Sequence, residues 1–207
     1  MSDATTVKTK STPADVRMEK RDIKFGRENP PPRWWHGNDA GRTAFFNALS
    51  STFPQGEKFF MTAVRHYRGD VDDKLRGQID DFLYQESVHS REHVVFNRQA
   101  EDAGYDISGL EQRVRNIITW ARSRPAIQQL AATCALEHYT AALAQHLLAE
   151  PRALQGATSE AADLWRWHAI EEIEHKAVAY DTYLQATRDI TPFRRWLKRC
   201  VVMGVTT

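Results

Sequence analysis

Cysteine is nearly absent from this 207-residue chain: Cys134 and Cys200 are the only two. Two cysteines make no disulfide framework, and the reducing cytoplasm is the simplest compartment. Charge of one sign is also missing. The chain carries 28 basic and 27 acidic side chains for a formal net charge of +1, which excludes a wholly basic nucleic-acid binder and an acidic disordered protein. No run approaches the roughly 18 apolar residues of a bilayer span. Met1 to Lys20 is polar and charged and lacks the apolar core of a signal peptide. Glycine and proline are sparse and sit mostly where the chain must turn, and strict alternation of β-branched residues is absent. Sheet proteins are thereby excluded.

Four long segments with a 3–4 apolar repeat remain, and the class they specify is all-α. The first spans about Gly41 to Tyr67, with Pro54 and Gly56 as points for a kink or a later start near Thr52. The second spans about Val71 to Ala103, with Gly104 as its stop. The third spans about Pro125 to Leu148, and the fourth about Ser159 to Thr187. Short turns at Arg68-Gly69-Asp70 and near Pro151 to Thr158 pair the first two and the last two as antiparallel hairpins. Between the hairpins lie about twenty residues with a short helix from Leu110 to Trp120, the long crossover of a ferritin-like four-helix bundle. The domain expected is 22–190. A leader at 1–21 is disordered or wraps the surface, with Trp34-Trp35 packing the following chain onto the bundle. A basic and apolar segment at 191–207 either lies on a membrane surface, precedes an apolar element beyond the chain end, or docks as a frayed helix.

Each repeat carries ligand-type residues inside its apolar stripe. The first offers Glu57 and the third Glu137; the second offers Glu86-Ser87-Val88-His89 and the fourth Glu172-Ile173-Glu174-His175. Three residues at about 100° each leave two side chains about 60° apart, so the carboxylate and imidazole of each Glu-x-x-His point the same way. A buried, unpaired carboxylate costs several kcal/mol by order of magnitude and tends to take up a proton. Four of them converging in one interior need cations, and mixed carboxylate and imidazole donors suit two iron ions, with manganese or zinc as substitutes. His168, one turn before Glu172, is either a seventh ligand or a partner of one, and His93 is a partner of a ligand. Glu92, Glu171 and Glu174 lie off the stripes, solvated or supporting a ligand. Asp80, Asp81 and His138 flank the stripes and could orient ligands, and Phe46, Phe53, Phe60, Phe82 and Leu130 would shape an apolar pocket.

The segments Phe53-Pro54-Gln55-Gly56-Glu57-Lys58-Phe59-Phe60, Gln85 to His93 and His168 to Lys176 resemble the bacterial family of predicted metal-dependent hydrolases, over roughly Asp22 to Thr207. The ligand pattern alone is also similar to that of the di-iron p-aminobenzoate N-oxygenase, which has an added histidine on its last helix, where His168 stands here. Three functions follow in order. The first is an oxygen-activating di-iron oxidase or oxygenase that takes O2, an electron donor and a small apolar or aromatic substrate. The second is the metal-dependent hydrolase of the family's description, and the third is iron storage. A homodimer is expected on base rates, and peripheral membrane contact through the C-terminal segment is an expectation of the basic and apolar pattern.

Overall fold

The computed structural model describes residues 17–206, so most of the expected leader lies outside the described residues. Seven α-helices account for most of the chain: α1 (Ala40–Arg65), α2 (Asp73–Asp102), α3 (Ser108–Arg122), α4 (Ala126–Ala149), α5 (Ser159–His175), α6 (Val178–Ala186) and α7 (Pro192–Thr206). The described residues include no strand beyond an isolated bridge between His36 and Ala157.

Local chemistry sets most of the boundaries. The side chains of Asp39 and Asp72 accept the amides of Arg42 and Leu75 and so cap the open N–H groups of α1 and α2. Past the end of α2, Gly104 takes a φ of +90°, and a Cβ there would meet the Arg33 guanidinium. α4 starts directly after Pro125. Pro54 neither delays nor ends α1. It sits mid-helix and removes one amide donor, a loss that is repaired from α2 as described below.

α1 packs along α2, and α4 along α5 and α6. The two hairpins are joined by α3, which crosses the bundle against α1. This is the ferritin-like order. The fourth expected helix is interrupted. Lys176 and Ala177 keep right-handed backbone values but leave the regular helix, splitting it into α5 and α6 directly after His175. Neither proline nor glycine marks that break, so the apolar repeat runs through it unchanged.

Two apolar clusters flank the centre of the bundle. One gathers Phe59, Phe60, Val64, Ile79, Phe82, Leu130 and Tyr183; the other gathers Trp35, Phe46, Val88, Phe96, Leu164, Trp165 and Trp167. Each fully buried large side chain contributes about 1.5–3 kcal/mol, and together they hold the polar residues between them in place. Residues 17–27 form a strap across α2 and α5. The strap is fixed by Arg21 to Glu171 and Glu174, by Arg27 to Glu92, and by Arg91 to Asp22. Trp35 is buried in the second cluster, whereas Trp34 stays partly exposed beside Tyr105. The C-terminal segment is the helix α7, docked on α4. Its Arg199 donates to the Tyr180 hydroxyl, and the outward side presents Phe193, Trp196, Leu197, Val201 and Val205 to solvent. Among the described residues, no helix is long and apolar enough to cross a membrane.

Candidate metal centre

All seven residues singled out as ligands are buried and meet in the middle of the bundle. α1 supplies Glu57, α2 supplies Glu86 and His89, α4 supplies Glu137, and α5 supplies His168, Glu172 and His175. Three overlapping groups have ligand atoms within 4.8 Å of one another: Glu57, His89 and His168; Glu86, His89 and Glu172; and Glu86, Glu137 and His175. Glu86 and Glu172 lie at the middle of the set. Glu172 is 3.0 Å from His168 Nε2, 3.4 Å from His175 Nε2 and 3.7 Å from His89 Nδ1, and Glu86 is 3.6 Å from His175 Nε2.

What these groups lack is partners. Both carboxylate oxygens of Glu57, Glu86 and Glu137, Oε2 of Glu172, Nδ1 of His89 and both ring nitrogens of His175 are buried without a hydrogen bond. Buried polar groups are overwhelmingly paired in folded proteins, so a cluster of orphans marks a place built for something else. Divalent cations fit this donor set. They would offset the four carboxylate charges, and the carboxylate-imidazole mixture suits iron, manganese or zinc. Without metal, the same burial drives the protonation states. Burial, with Glu172 and Glu137 adding repulsion, holds Glu57 well above the usual carboxyl range, and burial beside Glu137, Glu172 and Glu57 does the same to Glu86. Burial and the Glu172 charge push Glu137 up to about 8. Glu172 behaves differently: burial opposes its ionisation, but His175 beside it outweighs burial and keeps it well below the usual range. Burial lowers His89 well below an ordinary imidazole.

His89 is oriented from outside the cluster. Its Nε2 lies 3.0 Å from Glu171, whose other oxygen accepts Trp167 Nε1 at 2.9 Å and Arg21 at 3.1 Å. With Nε2–H on a carboxylate, Nδ1 is left facing Glu86 and Glu172. Glu171 and Glu92 are thus buried and paired, not solvated. Glu171 follows the helix one residue out of step with the ligand stripe, so spacing alone does not mark it. Its partner Arg21 lies 150 residues away in the chain and is invisible to any local pattern. Asp80 and Asp81 do not reach the ligands, being paired with Arg68 and Lys20, and His138 is exposed beside Tyr139.

A cavity of about 320 Å³ opens onto the cluster. Its lining includes Phe46, Phe53, Leu147 and Trp165, with His168 and Glu172 at the inner end and the exposed Phe45 and Leu143 at the rim. Phe46 and Phe53 were expected here. Phe60, Phe82 and Leu130 instead belong to the apolar cluster on the other side of the ligands.

No curated protein and no solved structure matches the chain. The family described as predicted metal-dependent hydrolase matches residues 19–207, from the strap that holds Glu171 to the last helix, and the chain belongs to that family.

Proposed function

We propose that the chain is a dinuclear metal enzyme acting on a small apolar or aromatic molecule held against His168 and Glu172. The observation that carries this reading is the meeting of an apolar cavity with seven buried ligand-type side chains whose carboxylates are mostly orphaned. Glu57, Glu86, His89, Glu137, His168, Glu172 and His175 would hold the ions. Bound divalent ions supply Lewis acidity and lower the pKa of a coordinated water, and redox-active ones can also pass electrons to oxygen. The protein contributes the rest. Arg21, Trp167 and Glu171 orient His89, while Phe46, Phe53 and Trp165 exclude water and take up the apolar part of the substrate.

Hydrolysis is the first reading of the reaction, because the family description supports it. An ester with an aryl or short acyl group would suit the cavity, its carbonyl lying at the His168–Glu172 end. A second reading, oxygen-activating oxidase or oxygenase, is supported by the donor set itself. Four carboxylates offset the charge of two divalent ions, which weakens their pull on a water molecule and stabilises a higher oxidation state of iron. One experiment separates the two. Protein loaded with zinc or manganese is assayed anaerobically on aryl and short acyl esters, and protein loaded with ferrous iron is exposed to oxygen. Ester turnover without oxygen supports hydrolysis. A transient visible band and oxygen uptake, with no ester turnover, would shift the assignment to oxygen chemistry.

The outward side of α7 supports a proposed partner, an anionic membrane surface. Its exposed Leu197, Val201 and Val205 adjoin Trp120 of α3. Residues 108–128 and 188–206 together hold nine Arg or Lys side chains against two acidic ones in a chain of net charge +1. Such a surface attracts acidic lipid headgroups and repels a second copy of itself.

A further inference from the structure

A second polar network, distinct from the ligands, runs from α1 through α2 to α5. It starts at Pro54, which has no N–H to give to the Ser50 carbonyl one turn earlier. Asn97 of α2 fills that gap: its Nδ2 donates to the Ser50 carbonyl at 3.2 Å. The amide of Asn97 is thereby oriented, and its Oδ1 accepts the Ser50 hydroxyl at 2.6 Å. Having given away its only proton, Ser50 Oγ can only accept from His93 Nδ1, 2.8 Å away. His93 is fully buried and touches no carboxylate, so it is a neutral ring with its proton on Nδ1 and a lone pair on Nε2. That lone pair lies 2.6 Å from His168 Nδ1, which must therefore carry the hydrogen. His168 Nε2 is left as a bare acceptor, 3.0 Å from the carboxylate of Glu172, an acceptor as well. Two acceptors facing each other need a cation between or beside them.

We propose that Pro54, Ser50, Asn97 and His93 form a positioning chain that fixes His168 as the Nδ1–H tautomer, so that Nε2 is presented to a metal ion together with Glu57 and Glu172. Each link uses the single donor or acceptor left by the link before it, so the orientation propagates without ambiguity from a helix proline to a ligand atom. The chain also locks the imidazole plane: Phe53 packs on both His93 and His168, with ring centroids 4.7 and 4.6 Å away. The proposal rests on the dinuclear reading of the centre; it assigns roles to Ser50 and Asn97 that the ligand pattern does not contain, and it specifies how His93, expected beside a ligand, acts on His168. None of the three reaches the carboxylate cluster directly; they act through His168.

The test uses the full chain loaded with zinc, a diamagnetic probe, and labelled with ¹⁵N at histidine. Long-range ¹H–¹⁵N spectra report the protonated nitrogen of each ring, and zinc is titrated into wild type, Ser50→Ala, Ser50→Thr and Asn97→Asp. The expected result is two zinc ions per chain and His168 protonated at Nδ1 with Nε2 metal-bound. Ser50→Ala and Asn97→Asp should each weaken one of the two zinc ions about 10- to 100-fold, and Ser50→Thr, which keeps the hydroxyl, should restore it. A merely structural role for Ser50 would leave the His168 tautomer and the zinc affinity unmoved by Ser50→Ala. Two zinc ions with His168 protonated at Nε2, or with Ser50→Ala as tight as wild type, would overturn the positioning chain and leave the dinuclear centre standing. A wild-type chain that takes up no zinc, iron or manganese would overturn both.

Discussion

Two sets of buried glutamates lie side by side in the bundle and have opposite surroundings. Glu171 and Glu172 are neighbours in sequence, and both are buried. Glu171 turns outward to Arg21, Trp167 and His89, and every oxygen is used. Glu57, Glu86 and Glu137 turn inward and use none. The contrast teaches that burial of an acid is not itself the sign of a site. The first set is ordinary support, finished by protein partners, and the second is unfinished until a cation arrives. Glu172 stands between them, close to His168 and His175 yet retaining one orphan oxygen.

The largest expected effect breaks the inward set directly. Glu57→Ala and Glu137→Ala should each reduce metal content from two ions per chain to about one while the helical circular-dichroism spectrum persists. Elemental analysis of purified variants checks this, and two ions retained in both would refute the assignment.

The second effect exploits the protons that the inward set holds when metal is absent. Glu137 has a folded pKa of about 8, against an ordinary value of 4.5, and Glu57 and Glu86 are shifted the same way. A carboxyl with a raised folded pKa stabilises the fold fully below its unfolded pKa and loses that contribution as pH rises through the folded one. Buried neutral His89 and His93 act in the opposite sense only below their unfolded value of about 6.5. Metal-free protein should therefore lose stability between pH 6.5 and 8. Metal uptake releases the carboxyl protons, so affinity should rise over the same window. Denaturant melts with and without chelator at several pH values read both slopes, and a metal-free protein that gains stability towards pH 8 would contradict the scheme.

A smaller effect should come from the outward set. Arg21→Ala leaves Glu171 without its cation and loosens the grip on His89 Nε2, so metal affinity should drop about tenfold, within the range seen when such outer partners are removed. Two ions per chain should still bind at saturating metal, which separates this variant from Glu57→Ala. The smallest effect lies farthest from both sets. Leu197→Glu with Val201→Glu should reduce co-sedimentation with vesicles rich in anionic lipid and leave metal content unchanged. Equal binding by variant and wild type would remove the membrane proposal.

Much of the site was legible because a helix converts sequence spacing into direction. Glu-x-x-His occurs in the second and fourth repeats, and a single in-stripe glutamate in the first and third, so four helices packed as two hairpins could bring these groups together in only a few ways. The helix limits in the structure differ from those expected by a residue or two, apart from the break after His175. Other features could not be read this way. The Arg21–Glu171 pair joins residues 150 positions apart, and the proline-to-histidine chain joins Ser50 to Asn97 and His93 to His168 across three helices. Phe46 and Phe60 have the same apolar spacing on α1, yet one lines the cavity and the other packs on the far side of the ligands.

The sequence by itself determined the all-α class, the hairpin order and the identity of the ligand-type residues, since each follows from local periodicity and turn chemistry. Only the tertiary structure decided which acids are finished by protein partners and which are left open. It also decided which nitrogen of His89 faces the centre and where the cavity meets it. Those outcomes depend on contacts between distant segments, and no spacing along one helix carries information about the neighbour that will pack against it.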